Sequence, residues 1–87
     1  MHMDRKIFTM NLSVEATSAY ILICTLAESG AVITIESAGS FWNDSPEALS
    51  RALEELNHRR VIYEELDTKQ RRQYLLNPSD LWEPPAE

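Results

Sequence analysis

The stretch Thr34–Leu53, TIESAGSFWNDSPEALSRAL, constrains the fold of this chain more than any other. Ile35, Ala38, Gly39 and Trp42 fall at the i, i+3, i+4, i+7 spacing of one buried helix face. Asn43-Asp44 breaks that pattern, and Ser45-Pro46 starts a second helix. A serine hydroxyl caps the open N–H groups of a first turn, and proline at the first helical position lacks an N–H that has no partner there. Ala48, Leu49, Ala52, Leu53 and Leu56 supply the apolar face of this second helix. Two helices joined by so few residues must cross steeply, which leaves the outer face of the second one uncovered.

The flanking segments extend this plan. Lys6–Leu12 (KIFTMNL) has the β-branched and large apolar residues of a short strand or extended arm. Ser13 is a good cap, and Glu15 suits the positive end of a helix that runs from Val14 to Glu28 and stops at Gly30. The apolar residues of this helix, from Val14 through Ala16, Ala19–Cys24, Leu26 and Ala27, nearly encircle it. A chain of 87 residues can hardly cover such a helix, so part of it is expected to face a second subunit. Ala31–Ile33 reads as a brief extended link to Thr34, the cap of the next helix. After the helix from Pro46 to about Arg59, Val61-Ile62-Tyr63 opens a strand. Glu64–Gln70 is a polar turn, and Arg71–Asn77 returns as a second strand ended by Pro78. The expected fold class is α+β over one domain, residues 1–87, with residues 1–5 and 83–87 flexible.

The order helix, short strand, helix, turn, helix, hairpin is that of a winged helix-turn-helix: a three-helix core with a C-terminal β-hairpin wing. Residues 14–82 resemble this DNA-binding family. The resemblance rests on a capping Thr34, a small Gly39, Asn43 in the turn, and then Ser45-Pro46-Glu47-Ala48-Leu49-Ser50-Arg51-Ala52-Leu53 without a gap. Glu55-Leu56 and Arg59-Arg60-Val61-Ile62 are similar to the end of a recognition helix entering the wing. Tyr74-Leu75-Leu76-Asn77-Pro78, with Leu81 and Trp82, resembles the last wing strand of plasmid and phage replication initiators and, less closely, of multiple-antibiotic-resistance-type regulators. The resemblance implies that Gly39 lies where two helices touch and that Asn43 takes a left-handed turn conformation. The chain departs from the family at Asp44, where an apolar residue is common, at Arg60, where glycine often precedes the wing, and at Glu47, where a hydroxyl or a base is usual.

If the chain reads double-stranded DNA, helix 46–59 enters the major groove. Arg51, opposite Leu49 and Leu53, is the first candidate contact; the alternative is an exposed arginine paired with Glu47 or Glu55. Glu47 can accept from a cytosine amino group, and Ser45 and Ser50 can bond phosphate or a base edge, although Ser45 is a helix cap first. Lys69, Arg71 and Arg72 form the densest basic cluster; they either grip the DNA backbone or minor groove or keep an edge hairpin soluble. His58, Arg59 and Arg60 suit the negative helix end. Trp42 is read as core, Cys24 as a small core residue, and Trp82 as packing over the hairpin or meeting a partner chain.

Composition sets limits on these readings. The net charge is −6, and residues 34–73 hold six basic against eight acidic side chains, so the expected DNA module is not basic. That balance keeps open a second function, a winged-helix protein–protein interaction module without DNA binding. A single cysteine fits a reducing cytoplasm. The apolar run Ala19–Ala27 is about half of what a bilayer span needs, so no membrane partner is expected. No nucleophile stands with a base, no glycine-rich phosphate loop is present, and His2 and His58 lack ligand-spaced neighbours. Neither an enzyme nor a metal or cofactor protein is expected. The expected partners are double-stranded DNA and a second copy, joined through helix 14–28 and the N-terminal segment.

Overall fold

Helix α1, Val14–Glu28, forms the floor of the structure and packs chiefly along α3, Pro46–His58. The computed structural model describes residues 3–84. Ser13 caps α1, its Oγ accepting from the Ala16 N–H at 3.1 Å, and Gly30 follows with a φ of +79°, which glycine adopts at no steric cost. Ala16, Ala19, Tyr20, Ile23, Cys24 and Leu26 are buried, while Val14, Ser18, Ile21, Thr25 and Glu28 make an exposed stripe. Of its apolar residues, Val14 and Ile21 are left exposed, and the rest of the stripe is polar.

Helix α2 is shorter than its spacing suggests, covering Ile35–Gly39. Thr34 caps it, and Thr34 and Ser37 exchange reciprocal side-chain-to-backbone bonds at 3.0 and 2.9 Å. Of the expected buried face, Ala38 is in the core, Trp42 is half-buried beyond the helix end, and Gly39 and Ile35 are exposed, Ile35 at 39%. The regular helix gives out at Gly39, so the i+7 position never lies over Ile35; Phe41 and Trp42 instead make tight turns back to Ala38 and Gly39. Gly39 does adjoin α3, since a Cβ there would touch Leu49 at 3.8 Å. Asn43 is not left-handed; among the described residues the non-glycine positions with positive φ are Asn11, Arg60 and Gln70.

In α3, Ser45 caps with its Oγ on the Ala48 N–H, and Pro46 occupies the first turn. The helix ends at His58, one residue short of the expected limit, and buries the five residues read as its apolar face. Strands β1, Ile62–Leu66, and β2, Arg72–Leu76, pair antiparallel, with Ile62 opposite Leu76 and Leu66 opposite Arg72. The expected turn from Glu64 is thus too long. Glu64, Glu65 and Leu66 continue the strand because β2 offers them partners, and Arg72 reaches Glu64 diagonally at 3.5 Å. The hairpin is tied to the helices by the Tyr74 N–H donating to the Ile33 carbonyl at 2.8 Å.

The N-terminal segment is not a strand. Arg5–Thr9 is a 3-10 turn, begun by Asp4, whose carboxylate accepts from the Lys6 N–H at 2.9 Å. The Asp4 N–H donates to the Tyr20 hydroxyl at 3.1 Å, and the turn drops Ile7 and Met10 into the core. Strand-prone composition loses here to a local cap and two buried anchors. At the other end Trp82 is buried edge-on against Tyr20, with ring centroids 5.5 Å apart, and its indole donates to the Asn77 carbonyl at 3.0 Å. Trp82 therefore packs on α1 and its own C-terminal turn. Of the ends expected to be flexible, Asp4 and Arg5 begin the turn, and Glu83 bonds Arg59 through its N–H at 2.8 Å. Residues 1–2, including His2, and 85–87 lie outside the described residues. No helix among the described residues is long and apolar enough to cross a membrane.

Candidate nucleic-acid interface

The outer face of α3 is open to solvent along Glu47, Ser50, Arg51, Glu54, Asn57 and His58. It follows from the pattern of the helix: with Ala48, Leu49, Ala52, Leu53 and Leu56 turned inward, the polar positions in between face outward, except Glu55 at the edge against α1. Arg51 makes no ion pair among the described residues. Neither pairing considered for it forms, and for Glu55 the reason is specific. Both oxygens of that carboxylate accept from Ser13, one from its N–H and one from its hydroxyl, each at 2.8 Å. Glu55 of α3 thereby closes the start of α1, while still bordering the same surface as Arg51, Glu54 and His58.

Ser45 has its hydroxyl on the Ala48 N–H, and its carbonyl accepts from the Trp42 indole at 3.1 Å. Its first role is architectural. Ser50 and Glu47 are exposed and have no side-chain bond among the described residues.

The basic cluster of the hairpin tip is largely neutralised. Arg71 pairs with Asp67 at 2.9 Å and Arg72 with Glu64 at 3.5 Å, which leaves Lys69 without an ion pair among the described residues. The Asp67 carboxylate also accepts from the N–H groups of Arg71 and Lys69, both at 2.8 Å. Those bonds, the Arg71 N–H foremost, hold its carboxyl below the ordinary range. Gln70, at φ +63°, completes the turn. A groove of about 560 Å³ separates the tip from the start of α2, with Arg71 and Arg72 on one side and Thr34, Ile35 and Glu36 on the other.

Of the candidate residues, Ser45, Glu47, Ser50 and Arg51 lie together at the start of α3. Lys69, Arg71 and Arg72 stand on a separate element, with no hydrogen bond or ion pair between the two groups among the described residues. Arg59 and Arg60 have structural partners. Arg59 donates to the carbonyls of Met10 and Glu83 at 2.7 and 2.8 Å, and Arg60 pairs with the Glu83 carboxylate at 3.0 Å. The clasp of Glu55 on Ser13 was not legible in the sequence, because its partners lie 42 residues apart and neither belongs to a local motif. No family model, curated protein or solved structure matches this chain.

Proposed function

We propose that the chain is a winged helix-turn-helix protein that reads double-stranded DNA, in transcriptional regulation or plasmid or phage replication control. The order of α1, a hydrogen-bonded extended link, α2, a turn, α3 and a hairpin supports that reading of the fold. The observation that carries the function is the state of Arg51: exposed on the outer face of α3 and without an ion pair among the described residues, with Glu55 bonded to Ser13. In this reading Arg51 donates to a guanine edge in the major groove, flanked by Ser50 and Glu47, and Lys69 meets a phosphate. Arg71 and Arg72 approach the backbone by exchanging their carboxylate partners for phosphate. Ile21 on the exposed side of α1, with Phe8 before the helix, supports pairing of two copies, in which two recognition helices would stand about one DNA turn apart.

Binding to a pool of random duplexes, measured across salt concentrations, tests the proposal. Affinity should fall steeply with salt. Arg51→Ala should weaken binding by about 1–3 kcal/mol and relax the preferred sequence, while Lys69→Ala should weaken all duplexes alike and lower the salt slope by about one. Absence of duplex binding even at low salt sinks the DNA reading. A protein–protein interaction module then takes its place, a reading favoured by the pairing of Arg71 and Arg72 with acids of their own hairpin.

A further inference from the structure

Away from the outer face of α3, a groove of about 350 Å³ runs between the first half of α1 and the connection from α2 to α3. Val14, Leu22, Phe41 and Trp42 give it apolar walls, Glu15 and Asp44 line it with carboxylates, and no Lys, Arg or His borders it. Val14 is 80% exposed and Phe41 64%, and both line this groove. Trp42 is held in place, its indole fixed on the Ser45 carbonyl at 3.1 Å and its ring packed against the core. Asp44 accepts from the Ser45 N–H through one oxygen, and the other has no donor among the described residues. Glu15 makes no side-chain bond or ion pair among them.

We infer that this groove binds a small organic cation that carries an aromatic or branched apolar group. Aromatic side chains next to carboxylates, Trp42 among them fixed in place, are the chemistry that holds an ammonium: an aromatic ring attracts a cation electrostatically and the acids balance its charge. The volume lies within the range of small-molecule sites. The net charge of −6 raises the local concentration of any cation. Charge also argues against a second copy as occupant of the groove. A two-fold contact sets a patch against itself, which would bring Glu15 and Asp44 against their own counterparts with no base between them. Because Ser45 both caps α3 and holds Trp42, a bound cation bears on the start of α3. The site does not depend on that helix reading DNA.

The test is a titration of the isotope-labelled full chain with benzyltrimethylammonium, up to about 10 mM and followed by NMR, since weak affinity is expected for so small a ligand. Benzyl alcohol and phenylacetate serve as neutral and anionic comparators. The expected result is a saturable shift of the Trp42 indole and of the amides around Val14, Leu22 and Asp44, with the Trp82 indole unmoved. Glu15→Gln combined with Asp44→Asn should weaken the cation about tenfold. An unchanged Trp82 indole shows that this variant keeps its core. Equal binding of benzyl alcohol, undiminished binding by the double variant, or no saturable shift at Trp42 would each overturn the inference. No DNA enters the measurement, so its failure is separate from failure of the DNA reading.

Discussion

Tyr20 is buried in α1, its hydroxyl accepting from the Asp4 N–H and its ring meeting the edge of Trp82. Burial pushes the phenol up to about 12 from an ordinary value of 10.0. The folded state therefore favours the neutral form. The associated stability is fully present below pH 10 and is lost as pH rises from 10 to about 12. Urea midpoints should fall across that window in the wild-type chain and fall less in Tyr20→Phe, which has no proton to lose. Arg60 illustrates another constraint on a single residue. It holds a φ of +61°, a conformation glycine adopts freely, at a cost of about 1 kcal/mol relative to glycine. The sequence marks Arg60 as a departure from the winged-helix pattern it resembles; its backbone takes a left-handed turn with a residue less suited to it. Asn43, the residue expected to be left-handed, has no such duty because the turn before Ser45 is built from ordinary conformations.

Among the elements, α3 and the hairpin depend on different kinds of information. Helix α3 was readable almost residue by residue, since its cap, its proline and its apolar spacing are all local and agree with one another. The strands were readable in place but not in length. Where β1 yields to the turn is decided by partners across the hairpin, and Asp67 sets the limit by gathering the N–H groups of Lys69 and Arg71. That arrangement is sensitive to acid. A carboxyl held below its ordinary range stabilises the turn above that range and ceases to do so as pH falls through the lowered value. The amides of Lys69 and Arg71 should lose their hydrogen-bonded NMR shifts as pH drops below about 4. The same shifts should be independent of acid in Asp67→Asn. A parallel loss in that variant would mean that something other than Asp67 holds the tip. The 3-10 turn at Arg5–Thr9 shows the limit of composition: KIFTMNL reads as a short strand or extended arm, yet Asp4 and the Tyr20 hydroxyl, sixteen residues away, decide otherwise.

At the scale of the whole molecule, the uncovered stripe on α1 and the acidic balance shape what the chain can meet. Val14 and Leu22 belong to the groove beside Trp42, whereas Ile21, 41% exposed, lies outside it. A dimer through α1 should therefore run through Ile21. Light scattering should give twice the 10.0 kDa of one chain, and Ile21→Glu should return it to one copy with its helix content intact. A single-copy mass for the unaltered chain at high concentration would remove this pairing. The excess of acids was plain in the sequence, but its distribution was not. Glu55 is used inside the fold, Asp67 and Glu64 are used within the hairpin, and Glu15 and Asp44 line a groove formed by segments far apart in the chain.

Arg59 sits where α3 ends, and its one guanidinium grips the carbonyl of Met10 on one side and that of Glu83 on the other. A break at this point acts at both ends of the described chain together. Limited proteolysis should show it: Arg59→Ala should open cleavage sites before Ser13 and after Asn77 at matched rates, leaving a resistant fragment of α1 through β2. Cleavage confined to one end would mean that the opposite end is held by other contacts, such as the Lys6 ammonium on the Ser79 carbonyl at 2.8 Å. The side chain at the foot of the helix read as a DNA probe thus ties the two ends of the described chain to one point.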